Sequence, residues 1–180
     1  MKEMNEPAWL IYFDASALVK RYAPEPGTAL VNEIFRLIPA ERMVCATLGM
    51  LEAASILLRQ RNDGRLTRAQ YEQAMAEFKN EVLDSDKFIL AQVNDSLQRA
   101  SLSLVLKHNI NASDAVVLRS AINWRDSLKP PSEDLMLWTS DNRLARAATA
   151  EGIKVFNPET ETEDTLRQLL GISQQSPEQL

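Results

Sequence analysis

Short apolar runs alternate with longer segments of helical character along this chain. The short runs are too brief for helices and are rich in strand-forming residues. They cover residues 9–13, 43–46, 88–93, 135–138 and 154–156. Because parallel strands need crossover connections, which are usually helices, this alternation predicts an α/β fold with a parallel sheet between two layers of helices.

The segments between the strands carry helical spacing or helix boundary signals. Leu30, Ile34 and Leu37, for example, lie on one face of a helix. Thr47 is a suitable cap for the helix after it, and another helix starts at Thr67. The predicted helices cover residues 16–22, 27–37, 48–62, 67–84, 95–108, 113–125, 142–151 and 163–170, and a loop covers 127–134.

Composition excludes several kinds of protein. The 180 residues suffice for one domain with its own core. One cysteine, Cys45, and one histidine, His108, exclude a Cys/His zinc site. The net charge of −5 argues against a protein that coats nucleic acid by bulk charge. No apolar run approaches the roughly 20 residues that span a bilayer, and the amino end does not resemble a signal peptide. We therefore expect a cytoplasmic protein with no membrane segment.

Aspartates stand where the predicted sheet would place a ligand site. Asp14 and Asp141 each follow a strand and precede a helix, and open parallel sheets bind ligands beyond the carboxyl ends of their strands. Taken singly, each is better explained as a helix cap, because Asp is among the best capping residues. Asp114 opens a third helix, in which Ser113 or Asn111 is an alternative cap and the helix dipole favours an acid.

Glu52 lies inside a helix that is apolar nearly all round. Glu is rarely buried unless it is paired or bound to a metal, so a salt bridge to an Arg and a functional role are both open. Together, Asp14, Glu52, Asp114 and Asp141 would repel one another unless a cation lay among them. Carboxylates without His or Cys suit Mg²⁺ or Mn²⁺, which normally act on phosphate groups.

Four segments, in order, resemble the motifs of PIN domains, most closely those of VapC-type toxins. They are IYFDASALVKRYAPEPG, LEAASILLR, SDAVVLRSA and LWTSDNRLARAATAEGIKVFNP. The resemblance implies a three-layer α/β/α domain over residues 1–158 with a central, mostly parallel sheet. A tail over residues 159–180 then holds one helix and a frayed end. Val117 departs from the pattern, because many relatives have His there.

The resemblance further implies a Mg²⁺- or Mn²⁺-dependent endoribonuclease that leaves a 5′-phosphate and a 3′-hydroxyl. Asp14, Glu52 and Asp114 would hold one ion, and Asp141 would complete that site or bind a second ion. Ser16 matches a small hydroxyl residue that lies near the metal in this family. The alternative for Ser16 is a second hydroxyl at the start of a helix.

Several basic residues follow the acidic motifs closely and are candidate contacts for RNA phosphates. Arg59 lies two helical turns beyond Glu52 on the same face, and the others are Lys20, Arg119 and Arg143. The alternative for each is an ordinary solvated side chain, as most surface Lys and Arg are.

A small antitoxin protein and a homodimer are the protein partners that the resemblance implies. The amphipathic helices over residues 27–37 and 67–84 are expected to expose apolar stripes that line a groove. An antitoxin tail would lie in this groove and bring a basic residue to the acids. The alternative is that both stripes pack onto the sheet, or that one packs in a homodimer.

Two other functions remain open at this stage. A non-catalytic binding module would keep the fold, and an absence of metal binding would favour it. A phosphatase or phosphotransferase with an Asp nucleophile would also place Asp after the first strand. That pattern has a second Asp two residues later, where this chain has Ser16.

Overall fold

A computed structural model describes residues 9–129 and 133–172, in which five parallel strands form one sheet. The strand order is β3-β2-β1-β4-β5. The strands are β1 (Trp9–Phe13), β2 (Met43–Ala46), β3 (Ile89–Ala91), β4 (Asp134–Trp138) and β5 (Lys154–Phe156). Helices cover both faces of this sheet, so the prediction of a three-layer α/β/α fold is confirmed.

The helices connect the strands along the described chain. They are α1 (Ala15–Leu18), α2 (Thr28–Leu37), α3 (Thr47–Asn62), α4 (Arg68–Phe78), α5 (Asp95–His108), α6 (Ala112–Ser127), α7 (Asn142–Ala150) and α8 (Glu163–Leu169). Short 3-10 turns follow α1 and precede β2, and a π-helical turn, Lys79–Leu83, follows α4. No helix in the ranges 9–129 and 133–172 is long and apolar enough to cross a membrane.

Several predicted element boundaries differ from the structure. The α-helix that starts after Thr67 ends at Phe78, and the next five residues form the π turn. Thr47 is the first helical residue of α3 and not its cap, because the backbone is still extended at Ala46. The strand predicted over residues 88–93 is limited to β3, since it pairs only with β2, which itself ends at Ala46.

Both faces of the sheet are buried, and the side chains of β1 alternate between two cores. Ile11 and Phe13 pack with α2, α3 and α4 on one face. Leu10 and Tyr12 pack with α5, α6 and α7 on the other. This two-sided burial explains the continuous apolar run of β1, which a half-exposed strand would not need.

The apolar stripes of α2 and α4 pack against the first core. Val31, Ile34 and Phe78 are fully buried there, and Tyr71 and Met75 are partly buried against the same cluster. No large apolar side chain of α2 or α4 is exposed. Most of each stripe therefore packs onto the sheet, while Leu30, Tyr71 and Met75 keep partial exposure, and the groove for an antitoxin stays a prediction.

The described part of the segment after β5 packs on the domain and contains α8. The Trp9 indole N–H donates a hydrogen bond to the Leu169 carbonyl oxygen at 2.7 Å. Leu166 is buried in the first core. The helix predicted over residues 163–170 is thus confirmed, and the end predicted to be frayed, residues 173–180, lies outside the described residues.

Candidate active site

A cleft of about 370 Å³ lies at the carboxyl edge of the sheet, where all four predicted acids meet. Asp14 comes from the end of β1, Glu52 from α3, Asp114 from the first turn of α6, and Asp141 from the junction of β4 and α7. The predicted convergence of these side chains is confirmed. For Asp14 and Asp141 it follows from the parallel sheet, because β1 and β4 end side by side, whereas Glu52 and Asp114 are brought to the same edge by the packing of α3 and α6.

Asp14 is both the cap of α1 and a wall of the cleft. Its Oδ2 accepts hydrogen bonds from the Ser16 amide at 3.2 Å, the Ser16 hydroxyl at 2.6 Å and the Thr139 hydroxyl at 3.1 Å. Burial raises the pKa of Asp14, and these hydrogen bonds partly oppose that rise. All three of these bonds fall on Oδ2 and hold the carboxylate in one orientation against the cleft.

Thr139, which the sequence reading did not single out, joins Asp14 to Asp141. Its buried hydroxyl donates to Asp14 and accepts from the Asp141 amide at 3.0 Å. Asp141 in turn caps α7, because its Oδ1 accepts from the Arg143 and Leu144 amides. A hydroxyl residue between a buried strand and a capping Asp was the only sequence signal for this link.

Asp114 has no capping duty, because Asn111 caps α6. The Asn111 side-chain oxygen accepts from the Asp114 amide at 2.8 Å and from the Ser113 hydroxyl at 2.9 Å. Oδ2 of Asp114 is buried and has no hydrogen-bond partner among the described residues. Burial, then the charges of Asp141 and Asp14, raise the pKa of Asp114 to about 6. A buried carboxylate oxygen without a partner is costly and favours a cation in the cleft.

Glu52 is half-buried on the cleft side of α3. Burial raises the pKa of Glu52, and the Asp14 charge adds to this, while Ser113 and Arg59 oppose it. The helix is apolar nearly all round but is not buried all round, since Leu51 is 59% exposed and Leu58 is 41% exposed on its outer face. Glu52 forms no ion pair with another described residue, so the salt-bridge alternative has no support there.

The four basic candidates differ in where they lie. Arg59 lines the cleft with Glu52, as predicted. Arg143 is exposed at the start of α7 but does not line the cleft. Arg119 points to α5 instead, where it donates to the Ser103 hydroxyl at 3.1 Å.

Lys20 is wrongly placed on an RNA path by the sequence reading. Only 2% of its side chain is exposed, and its ammonium pairs with Glu25 at 3.1 Å and with Glu159 at 2.5 Å. Gln60 also donates to Glu25. These contacts tie three segments together, so Lys20 has a structural role.

The cleft has the donor chemistry of a magnesium site but not a closed set of ligands. Among residues 9–129 and 133–172, no three His, Cys, Asp or Glu side chains are clustered tightly enough to hold a metal ion. Mg²⁺ usually keeps several waters and is bound by only one or two carboxylates, so a tight cluster is not required. Hard oxygen donors, and the orphaned oxygen of Asp114, fit such an ion.

Solved structures with similar folds include three that cover most of the chain. PAE2754 from Pyrobaculum aerophilum has a TM-score of 0.59 and 18% identity, over 91% of this chain and 96% of that one. The structure of FitAB bound to an IR36 DNA fragment has a TM-score of 0.60 and 16% identity, over 85% and 98%. FitAcB from Neisseria gonorrhoeae has a TM-score of 0.54 and 18% identity, over 84% and 99%. The chain has a PIN-like domain.

The PIN-like assignment is one of fold. No protein-family model matches the sequence, and no curated protein matches it significantly. The described PIN-like domain brings the acids of the four resembling segments into one cleft. What the cleft does must therefore be argued from its own residues.

Proposed function

We propose that this protein is a Mg²⁺- or Mn²⁺-dependent endoribonuclease. The observation that carries the proposal is the meeting of Asp14, Glu52, Asp114 and Asp141 in one cleft, with a buried and unpartnered oxygen on Asp114. Such a concentration of carboxylates destabilises the empty site and is explained by a role in binding a divalent cation. The PIN-like fold supports a nuclease among the possible metal enzymes.

Of Asp14, Glu52 and Asp114, one or two would bind the ion directly and the others through its waters, and Asp141 would complete the site or hold a second ion. When bound, the ion would lower the pKa of a water molecule and offset charge on the phosphate. Ser16 and Thr139 hold the Asp14 carboxylate in one orientation. Arg59, the cation in the cleft wall, would bind a phosphate oxygen and draw the RNA backbone to the acids.

The reaction is a hydrolysis. A water oxygen forms a bond to phosphorus while the bond from phosphorus to the 3′ oxygen breaks. The attacking water gives up a proton to solvent and the leaving oxygen takes one from solvent, so the products carry a 3′-hydroxyl and a 5′-phosphate. No nucleophile from the protein is needed in this reaction.

We further propose that the protein is the toxin of a cytoplasmic toxin–antitoxin pair and is inhibited by a small antitoxin. Similarity of fold to FitAB and FitAcB supports a protein partner. Most of the stripe residues of α2 and α4 pack on the sheet, so little of either stripe is left for it. The acidic cleft itself suits a basic side chain of a partner, because such a side chain would neutralise the same carboxylates as a metal ion. Homodimer formation stays a prediction.

A cleavage assay with matched variants tests the enzyme proposal. End-labelled RNA is incubated with the protein in Mg²⁺, in Mn²⁺ and in EDTA, and the product ends are determined. Glu52→Gln and Asp114→Asn should each abolish cleavage, whereas Asp86→Asn, which changes an exposed aspartate outside the cleft, should not. Equal cleavage in EDTA, or by all three variants, would refute the metal-dependent ribonuclease.

The same preparations separate the alternatives. A phosphoaspartate trapped on Asp14 after exposure to a phosphate donor would favour a phosphatase or phosphotransferase. Failure to bind Mn²⁺ in calorimetry, together with no cleavage, would favour a non-catalytic binding module. Both results are measured on the wild-type protein, so neither depends on a variant that folds poorly.

A further inference from the structure

A second cavity lies beside β3 and differs in chemistry from the acidic cleft. Its volume is about 470 Å³, within the range of pockets that bind small molecules. The end of β3, the first turns of α5 and the second half of α6 form its walls. None of the described residues that line it is charged. This cavity therefore does not extend the carboxylate site.

The cavity lies at the same edge of the sheet as the acids. Phe13 of β1 is in register with Cys45 of β2, which is in register with Leu90 of β3. Asp14 and Ala91 each follow that row by one residue, and two strand spacings, about 10 Å, separate their backbones. Asp14 lines the cleft and Ala91 lines the cavity. A ligand that spans neighbouring nucleotides is long enough to reach both.

Hydrogen-bonding groups without partners surround the cavity. The exposed side-chain amides of Gln92 and Asn123 line it and make no hydrogen bond to any residue in the ranges 9–129 and 133–172, so only water competes with a ligand for them. Ser120, only 1% exposed, also lines the cavity and contacts the Tyr12 phenol. The Tyr12 hydroxyl is buried and has no well-formed hydrogen bond of its own among the described residues. Among these groups only Ser120 and the Tyr12 hydroxyl are buried, and a partner or ordered water is expected for them, whereas the exposed amides are open to pair with a ligand.

The lining of the cavity also contains an aromatic residue. Trp124 lines the cavity and is half-buried, with the apolar Leu97 also in the lining. An indole offers a flat surface on which any nucleobase can stack. Amide side chains can pair with the donor and acceptor pattern of a base edge, as Asn and Gln do with adenine.

We propose that this cavity binds a nucleobase of the RNA, one that flanks the phosphate held in the acidic cleft. The proposal rests on the proposed ribonuclease function and deepens it. A neutral lining disfavours phosphate, whereas stacking on Trp124 with hydrogen bonds to Gln92 and Asn123 suits an uncharged planar heterocycle. Proteins commonly read single-stranded RNA in this way, by splaying a base out into a pocket. The cavity then gives the enzyme a base preference near the cleavage point.

Binding without cleavage is the first test. Four hexaribonucleotides, each of a single base, are added to Asp114→Asn protein while the indole N–H signals are followed by NMR. Loss of a signal in Asp114→Asn/Trp124→Phe protein assigns Trp124. We expect one or two of the oligonucleotides to shift the Trp124 signal and to bind more tightly than the others. No shift of the Trp124 signal with any of the four would overturn the proposal.

Variants of the lining supply the second test. In the same background, Gln92→Ala and Asn123→Ala should each weaken the preferred oligonucleotide about tenfold and leave the others nearly unchanged. Gln98→Ala, an exposed amide of α5 outside the cavity, is the matched control. Unchanged base preference in both lining variants would overturn the proposal. Base-selective binding by a protein whose wild-type form cleaves no RNA would support the cavity and refute the ribonuclease.

Discussion

Replacing Asp114 by Asn should make the metal-free protein more stable at neutral and alkaline pH. The carboxylate is pushed toward its neutral form by burial and by the charges of Asp141 and Asp14, which raise its pKa from 3.8 to about 6. Asn has nearly the same shape and carries no charge. The helix cap is unaffected, because Asn111 and not Asp114 supplies it.

The size of the effect follows from that pKa. A rise of about two units corresponds to about 3 kcal/mol, and screening by water in the open cleft reduces this to about 1–2 kcal/mol. For a protein of this size, about 1 kcal/mol shifts the melting temperature by roughly 2–4 °C. At pH 8 without metal, we expect Asp114→Asn to melt roughly 3–6 °C above the wild type.

The sign of the pH dependence is fixed by the raised pKa. Because the folded state holds its proton to a higher pH than the unfolded state, the wild type loses stability as the pH rises from about 4 to about 6. The Asn variant lacks this loss. The difference between the two proteins should therefore be near zero at pH 4 and reach its full value above pH 7.

Calorimetric melts in EDTA and in saturating Mn²⁺ measure both parts. The added metal should stabilise the wild type and have a smaller effect on Asp114→Asn, because the variant has lost one ligand. Asp86→Asn is the control and should follow the wild type in every condition. A variant less stable than the wild type at pH 8 in EDTA, or a difference that persists at pH 4, would refute this account of the Asp114 environment.

Three further predictions concern Thr139, Lys20 and Arg59. Thr139→Val should lower the free energy of unfolding in urea by about 1–3 kcal/mol and weaken Mn²⁺ binding, because it removes the hydroxyl shared by Asp14 and Asp141. Thr139→Ser keeps the hydroxyl and should restore both properties, so equal behaviour of the two variants would count against the link. Lys20→Met should cost about 2 kcal/mol of stability, since it leaves two carboxylates without their cation, but the cleavage rate of the folded protein should not change. A stable but inactive variant would instead support Lys20 as a contact for RNA. Arg59→Ala should weaken RNA binding and flatten the salt dependence of that binding without changing the melting temperature. RNA titrations at several salt concentrations measure the salt slope, and an unchanged slope would exclude Arg59 as a phosphate contact.

The local parts of the fold and site were determined by the sequence alone. Alternating short apolar runs and amphipathic segments identified all five strands, because a buried parallel strand and a packed helix need different spacings of apolar residues. Asp14 and Asp141 were placed correctly at strand ends, and Asn111 was one of two caps considered for α6. The meeting of Asp14 and Asp141 in one cleft required only the rule that parallel strands end at the same edge of a sheet.

Contacts between distant segments were decided only by the tertiary structure. The sequence around Lys20 is typical of a surface cation, but its partner Glu159 lies 139 residues away along the chain. Because Lys20 is buried beside Glu159, it has a structural role. The hydroxyl of Thr139 donates a hydrogen bond to Asp14, which lies 125 residues away along the chain, and no local spacing in the sequence predicts that contact. Glu52 looked buried because its neighbours are apolar, yet Leu51 faces solvent. In each case the deciding quantity is which atoms exclude water from a side chain, and that depends on how the layers pack rather than on the order of residues along the chain.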